Sequence, residues 1–160
     1  MFESTSTLDD RAKALVCPEL IARTVDASDL YAAAKVAHWC VRGPAFGPLH
    51  ALFREVASMA SEQADAIAER AAALGAIVGV TTQTISARTR LEPYPTDVIA
   101  GLDHVRQLAL RVRAYGALVR ETAKRADEVG DLVTVNLLTD VMGGADKIGW
   151  KLLAHLQAPS

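Results

Sequence analysis

Apolar residues recur along this chain at helical spacing, in four long stretches separated by polar or glycine- and proline-bearing segments. The first runs from about Pro18 to Cys40. Leu20, Ile21, Val25, Leu30, Ala33 and Val36 hold the period, and Pro18 suits a first helical turn. RGPAFGP, Arg42 to Pro48, then breaks the pattern with glycines and prolines. Leu49, Leu52, Phe53, Val56, Met59, Ala60, Ile67, Ala71 and Leu74 form a second stripe, which predicts a helix from about Leu49 to Leu74 with Gly75 as its C-cap.

The period disappears between Ala76 and Pro95, where one short helix is predicted around Thr82 to Ser86. A connection of this length in a compact chain has a topological role: it carries the next helix to the far end of a bundle. The third helix is predicted from Thr96, as N-cap, to about Glu128, and the last from near Asp131 to near Gln157. The expected architecture is all-α, a four-helix bundle with one long crossover carrying a short helix, which is the ferritin-like topology. It forms one domain, 18–157, between an N-terminal tail, 1–17, and a C-terminal tail, 158–160.

Composition fits packed helices rather than sheets: 51% of the 160 residues are apolar and only 5% aromatic. A net charge of −2, from 17 basic and 19 acidic residues, supplies no global attraction to nucleic acid. No stretch approaches the roughly 18 uninterrupted apolar residues of a membrane span. MFESTSTLDD lacks the basic start and apolar run of an export signal, and Cys17 and Cys40 lack CxxC or zinc-ligand spacing. A cytoplasmic protein with reduced thiols is expected.

Candidate chemistry gathers on the first two helices. His38 and His50 flank the RGPAFGP break, and Asp65 and Glu69 sit one turn apart on the second helix. Imidazole with carboxylate suits iron, manganese or zinc. Yet Asp65 lies about four helical turns, about 22 Å, beyond His50, so no single chain can close both halves on one ion. Either there is no joint site or two copies build it. His50, Arg54, Ser58, Ser61, Glu62, Asp65 and Glu69 share the side away from Ile67. Such a stripe is commonly just a solvated face. If two copies pair it antiparallel about a two-fold axis near Ser58, residue i meets roughly position 116 − i of the other copy. The histidine end of each copy then meets the acidic end of the other.

At these residues the chain resembles the Dps family, DNA-protecting, iron-storing relatives of ferritin. AHWCVRGPAFGPLH, ADAIAERAAALG, TTQTISARTRLEPYP and DKIGW occur in family order over roughly Leu20 to Leu156. The resemblance implies a hollow dodecamer with iron sites at two-fold interfaces, built from His38 and His50 of one copy with Asp65 and Glu69 of another. It implies a ferroxidase, an oxidoreductase that oxidises Fe(II), preferably with hydrogen peroxide, stores ferric mineral and protects against oxidative stress. Trp39 matches a tryptophan beside the site, with packing or electron transfer as its role.

The chain also departs from the family. An additional carboxylate ligand one turn after the second histidine is replaced by Arg54, which cannot ligate a metal. One iron position per site, rather than two, is expected, with Arg54 either bridging to Glu62 or Asp65 of the other copy or turned to solvent. Glu55 is rotated about 100° away and points elsewhere. The alternative function is a Dps-like shell or metal buffer with weakened ferroxidase activity. The resemblance further suggests Asp131 and Asp140 as pore residues, with Asn136 where relatives often carry aspartate; Asp131 also suits an N-cap. The tails lack the lysine clusters of DNA-binding relatives, which argues against DNA binding through them. Cys40 is read as a small apolar residue rather than an oxidisable thiol. His104 and His155 are read as structural or exposed.

Overall fold

The computed structural model of the chain describes residues 2–157; the expected C-terminal tail, 158–160, lies outside them. Five helices appear in the order α1 (Asp10–Cys40), α2 (Phe46–Ala73), α3 (Thr82–Arg88), α4 (Gly101–Glu128) and α5 (Leu132–Ala154). The four long ones form the expected bundle, and α3 is the short helix of the crossover.

α1 starts earlier than expected. Asp9 caps it by accepting a 2.7 Å hydrogen bond from Ala12 N–H, and Pro18 lies inside the helix. Residues 10–17 are therefore helical rather than tail. Ala12, Val16 and Cys17 are buried and extend the apolar stripe upstream of the proline. Pro18 and Ala14 both face solvent, so the carbonyl left without a partner is not buried.

α2 ends at Gly75, whose φ of +91° is a left-handed conformation that suits glycine. The N-terminal segment runs back over this point, with Phe2 N–H donating to the Gly75 carbonyl at 2.8 Å. A Cβ at Gly75 would strike the Phe2 backbone.

α4 starts later than expected, at Gly101; Thr96 lies in a turn before it. Arg42 N–H donates to the Ile99 carbonyl at 3.2 Å, and Ala100 is extended (φ −68°, ψ 135°). The chain is thus pinned beside the α1–α2 turn, and helix can only begin beyond that anchor. This contact places the start of α4 beside the start of α2, so those helices run parallel and the crossover travels the length of the bundle.

Buried charge fixes that crossover. The Arg23 and Asp26 side chains are fully buried and paired at 2.6 Å. Arg23 also donates to Thr122 Oγ1 at 2.9 Å and the Leu118 carbonyl at 3.2 Å on α4. The other Asp26 oxygen accepts from Arg90 N–H at 2.9 Å. One turn on, Asp29 accepts from Thr89 Oγ1 at 2.8 Å and Arg111 at 2.9 Å. Arg111 lies 5.6 Å from the Tyr94 ring, and Tyr94 shares a 2.7 Å hydrogen bond with His104 Nδ1. Two carboxylates of α1 thereby hold the crossover and α4 in register.

Candidate metal centre

The α1–α2 turn brings His38 and His50 together. Their rings stack with centroids 3.7 Å apart, and Phe46 covers the outer side of His50 at 5.1 Å. His38 Nδ1 lies 2.8 Å from the His50 carbonyl oxygen. A carbonyl only accepts, so this nitrogen is the one that carries a hydrogen, and Nε2 is the ring atom left to face a ligand. Partial desolvation first, then the positive fields of His38, Arg54 and Lys35, hold the His50 imidazole below its ordinary value, which favours the neutral ligand form.

Asp65 and Glu69 are both exposed, further along the same face of α2. Neither makes an ion pair among the described residues. Arg70, next in the chain, is turned into its own subunit, where it donates to Asp131 at 2.7 Å and Thr134 at 2.9 Å. Glu55 is paired with Lys151 and does not join the histidines. Among the described residues, no three His, Cys, Asp or Glu side chains gather in a way that could hold a metal. The structure thus assembles the imidazole half and exposes the carboxylate half, about 22 Å apart along α2.

Arg54 is exposed between the two halves. Together with Tyr31, Lys35, Ser58, Ser61 and Glu62 it borders a crevice of about 310 Å³. Tyr31 and Lys35, on α1, escaped the sequence reading because nothing in their local pattern ties them to α2. Trp39 is 63% exposed, with the Lys35 ammonium 5.3 Å from its ring centroid.

Asp131 is only 3% exposed. Its carboxylate accepts from Thr134 N–H at 3.1 Å and from Arg70, so it is committed to capping α5 and tying it to α2. Asp140 and Asn136 are exposed on α5. His155 is exposed; His104 is fully buried and holds Tyr94. Cys17 and Cys40 are both free, the first buried and the second half-buried. No helix among the described residues is long and apolar enough to cross a membrane.

A family model described as a ferritin-like domain matches residues 19–159. The chain is 32% identical to the DNA protection during starvation protein of Agrobacterium fabrum, over 99% of this chain and 98% of that one. Among solved structures, it is similar to Dps from Microbacterium arborescens in the high iron form, with a TM-score of 0.87, 29% identity, and coverage of 92% of this chain and 96% of that chain. It is also similar to Mycobacterium smegmatis Dps, with a TM-score of 0.92, 26% identity, and coverage of 98% and 95%.

Proposed function

The chain belongs to the Dps family of ferritin-like proteins, and we propose that it oxidises and stores iron at sites shared between two copies of itself. One observation carries this reading. An imidazole pair stacked across the α1–α2 turn and an exposed carboxylate pair on α2, without ion pairs among the described residues, lie too far apart to meet within a chain. A two-fold pairing of α2 puts each imidazole pair against the other copy's carboxylates.

In this reading Fe(II) is the substrate. His38 and His50 supply neutral nitrogen, and Asp65 and Glu69 of the second copy supply the negative charge that offsets the cation. Hydrogen peroxide is the oxidant: its O–O bond breaks, it takes one electron from each of two Fe(II) ions and two protons, and leaves as two waters. Ferric product passes into the cavity of a dodecamer, with Asp140 the exposed candidate for an entry pore. Protection of DNA then comes from removing iron and peroxide together. Charge supports this over tail binding, since the chain carries −2 overall. Two free thiols support a cytoplasmic setting.

Arg54 favours a second reading, a shell or metal buffer with weakened oxidation. Its fixed positive charge stands one turn from His50.

Subunit mixing tests the shared site. His50→Ala and Asp65→Ala each abolish peroxide-dependent Fe(II) oxidation when pure. Dissociated and reassembled in equal amounts, they recover about a quarter of the wild-type rate, because half the random pairs contain one intact site of two. No recovery on mixing, with reassembly verified, would falsify the shared site. A wild type that binds Fe(II) without oxidising it selects the buffer.

A further inference from the structure

The outer face of α2 is electrically polarised. Arg54, flanked by Lys35 of α1, lies toward its histidine end and Glu62, Asp65 and Glu69 toward the other, with Ser58 and Ser61 between. Neither Arg54 nor Glu62 makes an ion pair within its own chain among the described residues. This contrasts with Arg70, Arg111 and Lys151, which all find carboxylates in the same chain. The crevice they border is flanked by two small hydroxyl side chains, which allow another backbone to come close.

A surface with a basic end, an acidic end and a small middle is complementary to itself after a half-turn rotation. About an axis near Ser58, position 54 of one copy meets roughly position 62 of the other. We propose that Arg54 of each copy closes an ion bridge with Glu62 of a second copy, making a pair of charge locks that fix the register of α2 on α2. This rests on the two-fold reading above and adds to it a role for the residue that breaks the family's ligand pattern. Arg54 is a positioning residue there. By holding the two helices in this register, the locks set each histidine pair opposite the other copy's Asp65 and Glu69. The guanidinium, drawn toward Glu62, fills the space beside the site with fixed positive charge, which favours one metal ion over two.

The experiment is a charge exchange read by sedimentation of the full-length protein. Both residues are exposed, so the fold should survive, and circular dichroism checks that it does. Arg54→Glu alone and Glu62→Arg alone each set two like-charged pairs across the axis and should weaken association by more than about tenfold. Combining them reverses both bridges and should restore association to within about threefold of wild type. Wild-type association should also weaken as salt rises, and the single variants' should not. Single variants that associate like wild type, or a combined variant no better than either single one, overturn the proposal. So does association that follows added phosphate rather than the charge at position 62, since Arg54 would then be holding an anion. Zn(II) binding by His50→Ala separates the two readings. If charge exchange restores association but wild type binds no Zn(II), the metal site fails and the lock stands; if Zn(II) binds at His50 but exchange restores nothing, the reverse holds.

Discussion

The backbone carbonyl of His50 holds the side chain of His38, at 2.8 Å from its Nδ1. One candidate ligand is therefore oriented by the main chain of the other. The bond is made by backbone, so it orients the His38 ring with Nε2 outward whatever side chain stands at position 50.

His50→Ala should accordingly remove one ligand and leave the other in place. Expected is an unfolding midpoint in urea close to wild type, because His50 is only half-buried, with metal affinity lowered at least about tenfold. Isothermal titration with Zn(II) reads the second effect. Unchanged affinity would remove His50 from the ligand set.

Arg54→Asp should restore a carboxylate and remove a repelling charge. Anaerobic Fe(II) titration should rise from about one to about two ions per site, and the oxidation rate should increase. The titration is made at a protein concentration where sedimentation shows the assembly intact. If neither quantity moves, Arg54 does not suppress a second iron.

The bundle itself depends on the buried Arg23–Asp26 pair. Asp26→Ala takes away the buried carboxylate that Arg23 holds at 2.6 Å, leaves it only the more distant Glu19 at 3.7 Å, and also frees Arg90 N–H. The expected loss is about 3–5 kcal/mol, measured by urea unfolding. A loss below about 1 kcal/mol would mean that Glu19 or water compensates the Arg23 charge.

Stability should also fall in mild acid. Burial holds His104 below its ordinary 6.5, against the smaller opposite pull of Asp103. Its unfolded form binds the proton more readily, so its contribution is complete above about pH 6.5 and is lost as pH drops through the folded-state value. Urea midpoints measured from pH 7 down to 5 should decline more steeply for wild type than for His104→Phe. Parallel profiles would assign the decline to other groups.

Helical periodicity made the four long helices and the polar face of α2 legible in the sequence, and its loss marked the crossover that carries α3. The boundaries that went astray were set from local signals that distant contacts outweigh. Pro18 looks like a first-turn proline, but burial of Ala12, Val16 and Cys17 extends the helix past it. Thr96 looks like an N-cap, but the bond from Arg42 to Ile99 keeps the following residues extended. The carboxylate network of Asp26 and Asp29 was not legible, because its partners Thr89, Arg90 and Arg111 are remote in the chain. Within the candidate site, the imidazole pair could be read because both histidines flank one tight turn. Tyr31 and Lys35 could not, since the alignment of α1 beside α2 is a tertiary fact.

The openness of Trp39 has a practical consequence. Its indole is next in sequence to a candidate ligand and exposed to solvent, while Trp150 sits on α5, in a different part of the surface. Paramagnetic metal arriving at His38 should dim the fluorescence of the first indole far more than that of the second. Trp150→Phe then leaves a protein whose light emission reports site filling directly, without any attached dye.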